Sequence, residues 1–190
     1  MTPAWYTPDV AAHGVDALVI AGSAGGVDAL LKLLTHLPAG YPLPVIAMLH
    51  LPDNRDSRLA ELFGARMQVP VREAADKEEI VAGTVYFAGP GYHLSIEKDF
   101  RFSLSCEPPV HFARPAIDVL MESAAEAYGP RLAAILLTGA NQDGADGMKT
   151  IKERGGLTVV QDPFDAQVAT MPEMAIKKQA PDLVLSLQGI

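Results

Sequence analysis

Short apolar runs alternate with amphipathic stretches along most of this 190-residue chain. Continuous apolar runs at 17–20, 45–49 and 132–137 and the mainly apolar stretch at 157–160 predict strands, and the 132–137 run should be a central strand buried on both faces. Apolar residues spaced three and four apart predict the helices. These helices cover 27–37 and 59–63, run from Pro115 to Gly129 and over 144–153, and resume after Pro172. The alternation predicts an α/β fold with a mainly parallel sheet, closed by a last strand over 183–185.

The middle of the chain has a different pattern. The runs at 84–87, 93–96 and 100–104 are short and are separated by glycines or charged residues, and a third strand is expected beside Val69 and Val71. The three short runs predict a small antiparallel hairpin region set on the main sheet. Residues 1–16, which contain Pro3, Pro8 and Gly14, predict a loose arm, so a single domain is expected over 17–188.

Composition limits the classes of partner and compartment. The net charge of -8, from 23 acidic and 15 basic residues, disfavours a nucleic-acid partner. No apolar run approaches the ~20 residues that span a bilayer, so membrane insertion is not expected. The first sixteen residues lack the basic and apolar segments of a signal peptide, and Cys106 is the single cysteine. These features predict a cytoplasmic protein.

Polar residues of catalytic type follow three of the predicted strands. The first strand runs into a glycine-rich turn that holds Ser23, the second ends at His50, and the most apolar strand leads to Asp143. Neighbouring strands lie ~4.8 Å apart, so side chains at their carboxyl ends can converge. A serine becomes nucleophilic when a histidine takes its proton, and an aspartate orients that histidine. The glycines after Ser23 would let backbone amides converge as an oxyanion hole.

Each of these residues also has an ordinary structural interpretation. Ser23 and Asp143 would serve as N-caps of the helices that follow them, and His50 would be a loop histidine. A phosphate site in the turn at 22–26 is a weaker hypothesis, because the turn lacks the lysine of a P-loop and the dinucleotide-binding spacing. The catalytic and structural interpretations stay open on the residues alone.

No metal site is predicted. His13, His36, His93 and His111 show no metal-ligand spacing with one another or with the cysteine. The segment from Asn141 is faintly similar to a calcium loop, but it has a basic residue where the loop needs glutamate. Cys106 with His111 is a conceivable nucleophile and base, although a quiet thiol is the favoured interpretation.

Several short motifs occur in a fixed order along the chain. They are Ile20–Gly26, His50–Pro52, Ala88–Leu94, Arg114–Asp118, Leu137–Gly139 with Asp143–Ala145, Gly155–Gly156, Gln161–Pro163 and Met171–Pro172. In this order they resemble the catalytic domain of the chemotaxis protein-glutamate methylesterases, the CheB type, over 17–188. The resemblance implies a doubly wound, mostly parallel α/β sheet with helices on both faces.

The resemblance also implies the chemistry. Ser23 would be the nucleophile, His50 the general base and Asp143 the acid that orients it. The substrate would be a glutamate methyl ester on the signalling helices of a chemoreceptor, cut with release of methanol, and no cofactor would be needed.

Further site residues follow from the same motifs. The backbone amides of Ala24 and Ala140 would form the oxyanion hole, and Gly25 and Arg114 would line the substrate site. The family usually carries a receiver domain before this domain. A separate receiver or regulatory protein is therefore an expected partner.

The chain departs from the family pattern at three places. Ala24 stands where threonine is usual, Ala140-Asn141 replaces Met-Gly, and Glu173 replaces arginine after Met171-Pro172. These departures favour an alternative hypothesis, in which the domain is a non-catalytic module that docks on a receptor or another chemosensory protein.

Overall fold

The computed structural model describes residues 14–50 and 57–190, and a parallel sheet forms its centre. The strands are β1 (Ala17–Gly22), β2 (Val45–Leu49), β3 (Val71–Glu73), β4 (Val85–Phe87), β5 (His93–Ile96), β6 (Phe102–Ser105), β7 (Leu132–Leu136), β8 (Leu157–Gln161) and β9 (Leu183–Leu185). The helices are α1 (Gly26–Leu34), α2 (Leu59–Gly64), α3 (Ile117–Tyr128), α4 (Ala145–Glu153) and α5 (Thr170–Lys178), and a 3₁₀ turn covers Gly129–Arg131. The predicted arm lies mostly outside the described residues.

The main sheet has seven strands in the order β3-β4-β2-β1-β7-β8-β9, and every neighbouring pair is parallel. Strands β2, β4 and β3 lie on one side of β1, and β7, β8 and β9 lie on the other, so the strand order reverses between β1 and β7. Helices α1 and α2 pack on one face of the sheet, and α3, α4 and α5 pack on the other. The expected doubly wound sheet is confirmed, with its point of reversal at the carboxyl ends of β1 and β7.

The core divides into two clusters that share the same strands. Along β1, Val19 and Ala21 face the cluster that contains Leu120, whereas Ile20 faces the cluster that contains Leu30. This alternation follows from the two-residue period of a strand. Because both faces are covered, the inner strands are continuous apolar runs, which is why the sequence pattern locates them well.

One expectation about the middle of the chain is wrong. Val85–Phe87 is a parallel strand of the main sheet, between β2 and β3, and all three of its residues are buried. Three residues are too few to distinguish an inner parallel strand from a hairpin strand by pattern. The expected antiparallel pairing is confirmed for β5 and β6, which form a separate two-stranded sheet. The Ile96 amide of that hairpin donates to the Ser123 hydroxyl of α3 at 3.0 Å.

Two element boundaries also differ from the expectation. Helix α5 begins at Thr170 rather than after Pro172. A proline fits in the first turn of a helix, because backbone N–H groups there have no partner within the helix and the N–H that proline lacks is not missed. Strand β3 begins at Val71. Among the described residues, no helix combines the length and the apolar character that crossing a membrane requires.

Candidate active site

The three strand ends that carry the candidate residues meet at the point where the strand order reverses. Gly22 at the end of β1 is in register with Leu49 at the end of β2, and the His50 amide donates to the Gly22 carbonyl at 3.4 Å. On the other side, the Ser23 amide donates to the carbonyl of Thr138 at 2.9 Å. The turn that carries Ser23 therefore lies between the segments that follow β2 and β7.

His50 is tied to the acidic residue that follows β7. Its Nε2 lies 2.8 Å from Oδ2 of Asp143, and the exposed fractions of the two side chains are 13% and 0%. The structure thus joins two of the predicted residues across 93 positions of sequence. His50, which lies just after β2, is thus paired with a buried acid, as the catalytic interpretation requires. With Nε2 turned to Asp143, Nδ1 is the ring nitrogen left for a further partner.

Asp143 also holds the amino end of α3. Its Oδ2 accepts from the Ile117 amide at 2.7 Å and its Oδ1 accepts from the Asp118 amide at 2.9 Å. The expected capping of the following helix is wrong, because the N-cap of α4 is Gly144, without a side-chain hydrogen bond. Burial alone would raise the pKa of Asp143, but the bonds from His50 and from the two α3 amides outweigh burial and hold it below its usual value. The carboxylate is therefore ionised at neutral pH.

Ser23 does not cap α1, contrary to its structural interpretation. The N-cap of that helix is Gly25, and it has no side-chain capping bond. Ser23 is half-buried, and its hydroxyl makes no hydrogen bond to any residue in 14–50 or 57–190. It occupies the position after Gly22 just as His50 occupies the position after Leu49, on strands that are ~4.8 Å apart. Nucleophile–base contacts are often long without substrate and close in the complex.

The turn after Ser23 is closely packed. Gly25 has a φ of +80°, and a Cβ there would lie 2.4 Å from Oε1 of Gln167. A Cβ on Gly26 would lie 2.5 Å from Cδ2 of Leu49. Glycine is required at Gly25 both by the left-handed backbone and by the space. The Ala24 amide, which follows the candidate nucleophile, has no acceptor among the described residues.

Thr138 lies within the motif Leu137–Gly139, but the sequence predicts no separate role for it. Its buried hydroxyl donates to the Ala24 carbonyl at 2.8 Å and accepts from the Val168 amide at 2.8 Å. Its own amide donates to Oε1 of Gln161 at 2.9 Å. The side chain therefore connects the Ser23 turn to the segment that contains Ala140. A polar residue directly after the most apolar strand was the available signal.

Comparison with known proteins decides the family. A family model described as CheB methylesterase matches residues 18–190. The chain belongs to the CheB methylesterase family.

Individual relatives agree with this assignment. The chain is 46% identical over 175 residues to a putative protein-glutamate methylesterase/protein-glutamine glutaminase of Leptospira interrogans, which covers 92% of this chain and 91% of the relative. It is 32% identical over 184 residues to the protein-glutamate methylesterase/protein-glutamine glutaminase of Clostridium acetobutylicum, which covers 97% of this chain and 53% of the relative.

A solved structure shows the same fold. The crystal structure of the CheB methylesterase catalytic domain of Thermotoga maritima matches with a TM-score of 0.87 and 30% identity, over 92% of this chain and 94% of that one. The resemblance drawn from the ordered motifs is thus confirmed at the level of family and fold.

In this CheB-family domain, Arg114 supports the loop that precedes α3. Its guanidinium donates to the carbonyls of Cys106 at 3.1 Å and Glu107 at 3.2 Å. His93 holds the same loop from inside, because its Nδ1 accepts from the Ala116 amide at 3.2 Å and its Nε2 donates to the Pro108 carbonyl at 3.0 Å. A substrate-lining role for Arg114 stays a prediction.

Asp118 forms a second buried carboxylate next to the first. Its Oδ1 accepts from the amides of Gly144 at 2.9 Å and Gly147 at 2.7 Å, so Asp118 of α3 caps α4 while Asp143 caps α3. Burial raises the pKa of Asp118 to about 7; the charge on Asp143 adds to this rise, and the bond from the Gly147 amide opposes it. In the CheB domain, the first turn of α3 is thus capped by the carboxylate that lies just before α4, and the first turn of α4 is capped by a carboxylate of α3.

Proposed function

We propose that this domain is a serine esterase that hydrolyses glutamate methyl esters on chemoreceptor helices and releases methanol. The observation that carries the proposal is the 2.8 Å bond between His50 and the buried, ionised Asp143. Ser23 follows the end of the neighbouring strand, and its hydroxyl is not engaged in helix capping. Relatives named protein-glutamate methylesterases supply the substrate class. The receptor helices and a separate receiver protein are the partners expected from the family resemblance.

The proposed reaction proceeds in two stages. The Ser23 hydroxyl attacks the ester carbonyl while Nδ1 of His50 takes its proton, and the methoxy group leaves as methanol with that proton. A water molecule then attacks the acyl-enzyme and gives a proton to His50, which passes it to the Ser23 oxygen as the acyl bond breaks, so that the glutamate is released and the serine hydroxyl is restored. Asp143 stabilises the imidazolium that forms in both stages because it remains a buried anion.

The oxyanion of each tetrahedral intermediate needs backbone donors. The amides of Ala24 and Ala140 have no acceptor among the described residues, and Thr138 ties their two segments together. These amides are the proposed oxyanion hole. Since a backbone donor does not depend on side-chain identity, alanine at both positions is compatible with catalysis.

The test of the esterase is Ser23→Ala, with exposed Ser186→Ala as the matched control. Loss of the nucleophile should lower methanol release from a methylated receptor fragment by about 10⁴-fold or more. The control should keep the wild-type rate, and circular dichroism should show the same fold for all three proteins. Wild-type release by Ser23→Ala would overturn the assignment. Receptor binding without methanol release by the unmutated chain would favour the non-catalytic docking module instead.

Hydrolysis of glutamine amides is a second candidate for the same site. The Leptospira and Clostridium relatives are also named protein-glutamine glutaminases. The acyl-enzyme would be identical, and only the leaving group would differ, with ammonia in place of methanol. Ammonia release from a receptor fragment that carries glutamine should then fall in Ser23→Ala in parallel with methanol release.

A further inference from the structure

A histidine and two aspartates lie together, and one of the aspartates is Asp118 of the buried carboxylate pair. His111 is in the loop before α3, Asp118 is in the first turn of α3, and Asp146 is in the first turn of α4. One ligand atom from each of the three residues lies within 4.8 Å of the others, and Nε2 of His111 is 3.2 Å from Oδ2 of Asp118. The three residues come from separate segments, so the fold itself assembles the group.

Asp118 directs an unsatisfied oxygen into this group. The residue is 4% exposed, and its Oδ2 is buried without a hydrogen-bond partner, although Oδ1 accepts two amides. A buried acceptor without a donor costs about 1–3 kcal/mol, more for a charged group. A cation between Oδ2 and His111 would satisfy it.

We propose that His111, Asp118 and Asp146 form a binding site for a divalent transition-metal ion of the zinc type. Zinc takes histidine nitrogen and carboxylate oxygen at about 2.0–2.2 Å and accepts three protein ligands with water as the fourth. Tetrahedral geometry at that length places ligand atoms roughly 3.4 Å apart, close to the 3.2 Å between His111 and Asp118. The half-buried Asp146 side chain moves inward to complete the set. The imidazole disfavours magnesium and calcium, which prefer oxygen ligands alone.

Two neighbours adjust when the metal binds. Lys178 pairs with Oδ1 of Asp146 at 2.6 Å and competes with the ion for that carboxylate. The side-chain amide of Gln142 lies 3.4 Å from Nδ1 of His111. When Nε2 binds the metal, the ring proton resides on Nδ1, and the Gln142 amide turns its oxygen to accept it.

The sequence does not predict this group, because its histidines show no metal-ligand spacing with one another or with Cys106. The carboxylates that complete the group lie 7 and 35 positions after His111, a spacing that no local motif contains. The proposal stands apart from the esterase reaction, since metal affinity is measured without substrate.

The test is a zinc titration of the full chain, by competition with a chromophoric chelator. Cys106→Ser is the parent protein, so that the exposed thiol does not contribute. The parent should bind one zinc ion per chain, and His111→Ala and Asp146→Asn should each weaken binding about tenfold or more. Lys178→Met should strengthen binding, because the competing cation is removed. His36→Ala, at an exposed histidine beyond the end of α1, is the matched control and should leave affinity unchanged.

A second readout separates binding from misfolding. Zinc should raise the melting temperature of the parent and of His36→Ala, and should not raise that of His111→Ala. Equal zinc affinity in the parent, His111→Ala and Asp146→Asn would overturn the proposal and indicate adventitious binding. Absence of binding by the parent up to about 0.1 mM zinc would overturn it equally.

Discussion

Thr138 joins three backbone segments through one side chain and one amide. Its hydroxyl bonds to Ala24 in the Ser23 turn and to Val168, and its amide bonds to the side chain of Gln161. The residue is 1% exposed, so water does not replace any of these bonds. The hydroxyl therefore adds a side-chain bond to the backbone bond from the Ser23 amide to the Thr138 carbonyl, and both fix the Ser23 turn relative to the end of β7.

Replacement of Thr138 by valine removes that hydroxyl at nearly constant shape. The Ala24 carbonyl and the Val168 amide lose their partner, so we expect a loss of about 1–3 kcal/mol in the free energy of unfolding, measured by urea denaturation. Esterase kcat should fall more than KM changes, because the turn is displaced rather than the substrate surface. Thr138→Ser keeps the hydroxyl and should retain most of the stability and the rate. A valine variant as stable and active as the serine variant would contradict this role.

At the scale of elements, α3 and α4 approach each other closely at Gly147. A Cβ at this position would lie 2.5 Å from Cβ of Met121 and 3.3 Å from the Cα of Asp118. The Gly147 amide also donates to the Asp118 carboxylate. The close approach brings the amino end of α4 within reach of α3, and so allows the two buried carboxylates to cap opposite helices.

The substitution Gly147→Ala should change stability through two opposed effects, helix propensity and packing. Alanine should raise the free energy of unfolding by about 1 kcal/mol, because it is a better helix former than glycine. Overpacking should lower the free energy of unfolding by about 1–3 kcal/mol and displace the helix pair. The contact with the Cβ of Met121 is not the flexible end of a side chain, so we expect packing to dominate and urea denaturation to show net destabilisation. Lys149→Ala on the same helix, at a surface position, should change stability by less than about 0.5 kcal/mol. A stabilised Gly147→Ala protein would show that the two helices separate without cost.

The sequence pattern predicted the bounds of an element more accurately when the element was longer and more deeply buried. The runs of β2 and β7, continuous and buried on both faces, were found almost to the residue, and Gly129 marked the end of α3 as expected. The three-residue β4 was assigned to the hairpin region, because its partners β2 and β3 are supplied by tertiary structure.

The candidate site was predictable only where strand ends determine it. Ser23 and His50 each follow a strand directly, Asp143 lies in the loop between β7 and α4, and the structure brings His50 and Asp143 into contact. Asp118 could not be identified, because its role depends on the amides of Gly144 and Gly147, 26 and 29 positions away. Such bonds follow from the approach of two helices and leave no local pattern.

At the scale of the whole molecule, one sheet serves two hydrophobic cores. Successive residues of β1 face opposite clusters, and both clusters include residues from β2, β4, β7 and β8. A helix on one face cannot lose its packing without disturbing strands that also support the other face. The described domain is therefore expected to unfold as one cooperative unit.

Leu30 and Leu120 test this coupling from opposite faces of the sheet. Both are 0% exposed, one on α1 and the other on α3, so truncation to alanine should cost about 2–5 kcal/mol in each case. Far- and near-ultraviolet circular dichroism should report a single, coincident urea transition for both variants, with an unchanged m-value. Two separated transitions in either variant would show that the faces unfold independently.

The reciprocal capping of α3 and α4 has a consequence for how this site changes over evolutionary time. Asp143 stabilises the start of α3 whether or not it serves His50, so selection for a folded chain alone preserves it. Within the described part of the chain, Ser23 has no second, structural role of this kind, since its hydroxyl caps no helix. A lineage that abandoned ester hydrolysis would therefore keep the aspartate and let the serine drift, which makes the serine the residue that records whether the chemistry is still under selection.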